Sequence, residues 1–233
     1  NTWTVRSNDT LPIRFHHHSS YLDENRKKFV FFGGFGSMIY NGDFYSCDLD
    51  SFQWQKDTLP AGDRIHPRYF TSLGYSSSED ALYVFGGMGN ESGEQIVGRH
   101  YFYDLYRLDL NSGVNTMIWG KDRHLDWKEE NMVPVRNMIL YDGGFYTVCY
   151  PEFLTNSYLQ LYYFDIESAT YSKLCNKIPI RSDKISTNAN LYFDQDLRLL
   201  ILTVMESPDD VSSQLRVYAL SFPPLTDAEY LAA

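Results

Sequence analysis

The strongest constraint on the fold is a repeat. A Tyr-x-x-Asp pattern occurs as Tyr45/Asp48, Tyr106/Asp109 and Tyr162/Asp165, with Tyr218/Ser221 as a degenerate fourth copy. The tyrosines stand 61, 56 and 56 residues apart. A chain with such a period is a succession of equivalent units. None of them buries its apolar faces alone, so each leans on its neighbours.

Inside each unit the local pattern is strand. Phe29-Val30-Phe31-Phe32, Leu82-Tyr83-Val84-Phe85, Phe145-Tyr146-Thr147-Val148 and Leu199-Leu200-Ile201-Leu202 are short β-branched or aromatic runs, punctuated by Asp, Gly, Ser and Asn. No helical apolar period is sustained before the last ten residues. Strand runs at regular spacing indicate an all-β sandwich, barrel or propeller, and the self-similarity decides among these. Further anchors recur in register. Gly-Gly closes the second strand at 33–34 and 86–87, and Cys149-Tyr150 and Thr203-Val204 hold that place in units three and four. An aromatic follows the Asp by six residues in unit one (Trp54) and unit three (Tyr171), and by ten in unit two (Trp119).

A hydrophobic run, Gly-Gly, a spaced Tyr and a spaced Trp together resemble the kelch repeat of the propeller family that includes the galactose oxidase central domain. The first two units match well; the third and fourth keep the period and lose the glycines. The resemblance implies an all-β, kelch-type β-propeller with about four recognisable four-stranded blades. Physical chemistry agrees with it. Glycine pairs suit a sharp backbone turn approached closely by another blade, and Trp and Tyr fill the wedge between blades. Where Cys149-Tyr150 replaces the glycines, a different turn is expected.

Residues 1–225 are read as blades. Trp3-Thr4-Val5 precedes Leu11-Pro12 much as Phe52-Gln53-Trp54 precedes the second unit, so a Trp3 strand is expected to complete a blade. A closed ring of four and a section of a larger propeller both fit, and the family's usual blade number favours the larger one. Continuation into further blades or other domains is expected. Residues 226–233 read as the start of a C-terminal helix or linker, because Thr226-Asp227-Ala228-Glu229 has the form of a capping box after Pro223-Pro224. The stretch VYALSFPPL resembles the exit of extracytoplasmic propeller sensors in bacterial membrane-bound regulators, which implies an extracytoplasmic sensor.

Charge narrows the partners. Lys plus Arg number 20 against 30 Asp plus Glu, a net charge of −10. Such a surface repels phosphate backbones, and Arg26-Lys27-Lys28 is too small a cluster to reverse that, so nucleic acid is not expected. The apolar runs are too short for a membrane span. Three cysteines, Cys47, Cys149 and Cys175, are too few for a disulfide framework and too scattered for zinc. On a strand His16 and His18 would share a face, yet the sequence supplies them no acidic or cysteine partner, so no metal and no cofactor are expected. Neither the ligand spacing of the copper oxidase of galactose nor the site of the sialic acid mutarotase, both on this fold, maps onto these residues. A carbohydrate-active enzyme of that type stays as the alternative.

The remaining candidates lie where the segments leading into each first strand meet the loops between second and third strands, which in kelch proteins surround the central pocket. The leading segments place Arg14, Arg68 and Arg136 just after Pro or Pro-x, with His16, Tyr69 and Asn137 beside them, and Asn188 in unit four. The loops supply Phe35, Tyr40, Asn90 and Tyr150, with Met88, Glu152 and Phe153 nearby. Guanidinium groups suit carboxylate or phosphate. Aromatics beside Asn and Arg suit a sugar or a peptide. The expectation is a binding module for a protein or carbohydrate ligand at the propeller face. The same arginines could instead brace blades through neighbouring carboxylates.

Overall fold

The structure is a computed structural model, and it describes residues 2–7, 9, 11, 15–58, 60–129, 131–180, 188–209 and 211–225. The units become successive antiparallel sheets. Blade one pairs Ser19–Asp23, Lys28–Phe32, Phe44–Asp48 and Trp54–Lys56 in that order. Blade two is built on Ser72–Ser76, Ala81–Gly89, His100–Asp109 and Val114–Trp119, and blade three on Ile139–Tyr141, Gly144–Pro151, Tyr158–Asp165 and Thr170–Pro179. Blade four pairs Asn188–Asp194, Leu199–Glu206 and Gln214–Ser221. The first strands of consecutive blades lie against one another. This is a four-blade, kelch-type propeller arrangement.

Each anchor of the repeat has a mechanical role. The tyrosines sit at one register position, opposite Phe31 (Tyr45), Val84 (Tyr106), Thr147 (Tyr162) and Leu202 (Tyr218). From there Tyr106 and Tyr162 point back toward the preceding blade. Tyr106 joins Val30, Phe32 and Phe44 of blade one, and Tyr162 joins Phe85, Leu105 and Trp119 of blade two. The aspartates tie the next turn. Asp48, Asp109 and Asp165 each accept, on Oδ1, the backbone N–H and the hydroxyl of the serine three residues on (Ser51, Ser112, Ser168). Satisfying the turn's N–H in this way fixes the hairpin into the fourth strand.

The glycine pairs lie where two backbones approach. Gly33 and Gly34 have φ of 73° and 97°, and Gly86 and Gly87 of 66° and 100°. A Cβ at Gly33 would lie 2.6 Å from the Arg68 carbonyl oxygen in the segment leading into blade two. In blade two the strand pairing shifts register between Phe85 and Gly87. Blade three, with Cys149-Tyr150 in place of the glycine pair, runs through without that shift, while both blades have an irregularity in the pairing of their third and fourth strands, between Leu105 and Tyr106 in blade two and between Leu159 and Leu161 in blade three. In blade four the register corrects the sequence alignment: Leu202 holds the place of Val84, so Val204-Met205, and not Thr203-Val204, match Gly86-Gly87.

Aromatic wedges form as expected at one junction. Trp119 is fully buried and its indole N–H donates to Ile166 O of blade three at 2.9 Å. Trp54 does not match it: its ring lies tilted against Phe31 at 5.1 Å, on the face of blade one turned away from blade two. Residues 2–7 form no strand and Trp3 and Val5 are exposed, so blade four has three strands among the described residues. The segment 226–233 lies outside the described residues. No helix among the described residues is long and apolar enough to cross a membrane.

Candidate functional site

The segments leading into the blades and the second-to-third loops converge at one end of the blade array. Arg68–Tyr69 pairs with Gly89 and Met88, extending the second strand of blade two beyond its glycines. Met132–Pro134 does the same against Cys149–Pro151 in blade three. In blade one the short hairpin Phe35–Gly36/Ile39–Tyr40 is bridged to His16 through His16 N–Phe35 O (3.0 Å) and Phe35 N–His16 O (2.9 Å).

These pairings gather an aromatic cluster. The Tyr69 ring lies 4.7 Å from Phe35, 5.0 Å from Phe70 and 5.5 Å from Tyr40, on which it stacks. Phe70 in turn meets Tyr150 edge-on at 6.3 Å. Burial raises the Tyr69 hydroxyl to about 12 and pushes Tyr150 still higher, so both remain neutral hydrogen-bonding groups.

Charge is placed on the rim of this cluster. The Arg99 guanidinium donates to the Tyr69 hydroxyl at 2.9 Å and to Glu152 Oε2 at 3.2 Å, and Tyr101 donates to the same oxygen at 3.2 Å. Arg136 is half-buried, and its Nη2 donates to Asn188 Oδ1 at 3.3 Å. Among the described residues it makes no ion pair with a carboxylate. Its charge is felt nearby: burial, then His16, then Arg136 lower the His17 imidazole to about 4, and burial and Arg136 lower His18. His17 and His18 are therefore neutral at pH 7, and Arg136 supplies the local positive field.

The structure divides the sequence-expected residues. Tyr69, Phe35, Tyr40, Tyr150, His16, Arg136 and Asn188 come together at this end. Arg14 lies outside the described residues. Arg68 is corrected: it has no exposed surface, pairs bidentately with Asp104 at 2.5 and 3.0 Å, donates to Gly86 O and His66 O, and lies 3.9 Å over the Phe102 ring. It is a brace within blade two. Asn90 is buried and holds its own loop, donating to Glu94 O and Gly98 O and accepting from Gly93 N. Asn137 donates to Leu191 O and ties blade three to blade four. Both amides are spent on backbone groups. His16 and His18 do not share a strand face, because the chain bends between them at His17 (φ 56°). No group of three His, Cys, Asp or Glu among the described residues could hold a metal ion. Sequence reasoning missed Arg99 and Tyr101, which follow a long loop with no counterpart in the other units. Their only signal was position, at the start of the third strand facing the loop that carries Glu152.

Repeated antiparallel blades with an aromatic and cationic end face define a kelch-type β-propeller. The sequence profile of the KLHDC2/KLHL20/DRC7 Kelch-repeats domain matches residues 1–197, and the chain belongs to that family. No curated protein matches the sequence. Among solved structures, the endo-arabinase from Bacteroides thetaiotaomicron VPI-5482 superposes with a TM-score of 0.55 at 11% identity, over 90% of this chain and 76% of that one. At that identity the similarity is one of fold.

Proposed function

We propose that the protein is a non-catalytic binding module whose ligand, a protein segment or a carbohydrate, brings an anionic group to Arg136 and lays apolar surface on the aromatic cluster of Phe35, Tyr69 and Tyr150. The observation that carries this reading is Arg136 itself: a half-buried guanidinium without a carboxylate among the described residues, beside imidazoles held neutral. A desolvated cation of this kind gains most from an incoming carboxylate or phosphate. The alternative, a carbohydrate-active enzyme, draws on the fold shared with an endo-arabinase. Against it, the buried carboxylates at this end are already held, Glu152 by Arg99 and Tyr101 and Glu206 by Arg216.

Calorimetric titration with short peptides and oligosaccharides, each with and without a carboxylate, tests the proposal. The carboxylate-bearing probes are expected to bind. Arg136→Ala is expected to weaken them at least about tenfold, the scale of one charge-assisted hydrogen bond, with the melting temperature within about 2 °C of the parent. Binding that ignores Arg136→Ala rejects the site, and cleavage of an oligosaccharide probe would establish the enzyme reading instead.

A further inference from the structure

The junction of blades three and four is packed differently from the one before it. Between blades two and three, the Trp119 indole sits among Phe85, Phe145 and Phe164, with ring centroids 6.1, 5.9 and 6.4 Å away. The strand registers identify the counterpart of each ring at the next junction. Phe85 pairs with Leu105, and Val148 with Leu161. Trp119 stands opposite Leu105, and Leu174 opposite Leu161. Phe145 pairs with Phe164, and Leu200 with Leu220. Four rings at one junction are thus replaced by one valine and three leucines at the next.

A cavity of about 260 Å³ lies where the rings are missing. Val148, Leu161, Leu200 and Leu220 line it, with Leu191 and Leu202. All of these but Leu220 are buried, so the floor is apolar and shielded. The mouth opens between the outer strands Thr170–Pro179 and Gln214–Ser221, where Cys175, Asn176 and Ala219 are exposed, and a molecule from solvent can enter there. Among the described residues no Asp, Glu, Lys, Arg or His lines the cavity. A charged ligand would lose hydration there and gain no partner. An apolar cavity of about 150 Å³ is enough to take up benzene, and this one is larger. The preceding junction argues for a flat ring over a flexible chain, because the same register positions there enclose an indole. A rigid ring also loses less conformational freedom on entering than a chain of similar area.

We propose that the junction of blades three and four is a binding site for a small, uncharged aromatic molecule of one or two fused rings, which takes up the space that the Trp119 indole fills one junction earlier. The site shares no lining residue with the Arg136 cluster. It stands whether or not that reading holds.

The test adds indole to the full chain, with tryptamine as the charged control and n-hexanol as the flexible one. Saturation-transfer NMR is expected to give indole a dissociation constant of about 1 mM or tighter. Iodoacetamide reports on the place, because Cys175 is exposed at the mouth while Cys47 and Cys149 are buried. Indole at about ten times its dissociation constant is expected to slow Cys175 alkylation several-fold, and tryptamine and hexanol at the same concentration to slow it less. Leu200→Phe and Leu220→Phe each restore one ring, and each is expected to weaken indole at least about tenfold by filling the space. The alkylation experiment uses the unaltered chain, so it decides the matter even where a new ring proves too large for its place. The proposal is overturned if indole does not bind, if it leaves Cys175 alkylation unchanged, if tryptamine or hexanol protects Cys175 as well as indole does, or if both phenylalanine variants bind indole like the parent.

Discussion

Arg68 and Arg136 both follow a proline in the segment leading into a blade, but they stand at different register positions and do different work: Arg68 lies opposite Gly89, whereas Arg136 precedes Asn137, the counterpart of Ser72. Two positions before the repeat tyrosine, blade two has Asp104 and blade three has Gln160. Asp104 captures Arg68 bidentately. Gln160 is uncharged and its amide is spent on the carbonyls of Leu161, Leu174 and Cys175, so blade three has no second capture of this kind. Neither the register of each arginine nor the direction of its side chain was legible in the sequence, because both depend on the strand alongside. Arg68→Met is therefore expected to leave Asp104 as an unpaired carboxylate in a largely buried site, costing about 3–5 kcal/mol. In a chain of this size that is a drop of about 6–20 °C in melting temperature. Adding Asp104→Leu should recover part of the loss, since the uncompensated charge goes with it. Calorimetric scans of the parent, both single variants and the double variant check this. A parent-like melt for Arg68→Met would show that the pair contributes nothing.

At the level of strands and turns, more could be read in advance. Alternating apolar runs, Gly-Gly and the Asp that closes the third strand all mark real junctions, because each meets a local requirement that one residue type satisfies: positive φ, close approach, or a capped turn. Blade four was harder. Without glycines or an aspartate its frame slipped by one residue, and only the pairing of Leu202 with Tyr218 restores it. Asn90 and Asn137 misled for a related reason: a polar residue in a loop reads the same whether it faces a ligand or a neighbouring carbonyl. The glycines themselves can be ranked. Gly87 (φ 100°) and Gly113 (φ 69°) both have left-handed backbone, but a Cβ at Gly87 would lie 2.6 Å from Tyr69 O, while at Gly113 it would meet nothing within 4 Å. Gly113→Ala carries only the conformational penalty of about 1–2 kcal/mol. Gly87→Ala carries that penalty plus displacement of the Arg68–Tyr69 segment. Its melting temperature should fall well below that of Gly113→Ala, and equal melting points would mean that the close approach is not needed.

Across the whole molecule, stability follows from how many faces each blade buries. Blades two and three are covered on both sides, and all nine residues of Ala81–Gly89 and all eight of Gly144–Pro151 are buried. Blade four is covered on its blade-three side by Leu191, Leu200, Leu202 and Val204. Its other face leaves Tyr192, Met205, Leu215 and Val217 between 45% and 69% exposed. Blade one has its own open side, where Leu22 is exposed and Phe29, Phe31 and Trp54 are half-buried. In an array whose units gain stability from nearest neighbours, the outer units open first and the inner ones only with the whole. Hydrogen exchange followed by mass spectrometry should therefore find the slowest amides in Ala81–Gly89 and Gly144–Pro151, and faster exchange in Gln214–Ser221 although that strand is fully paired with Leu199–Glu206. A core truncation at the first junction, Leu82→Ala, should speed exchange in blades one and two before blade four. If Gln214–Ser221 instead exchanges as slowly as Ala81–Gly89, its open face is covered in solution and nearest-neighbour stacking of these four blades does not set the order of opening.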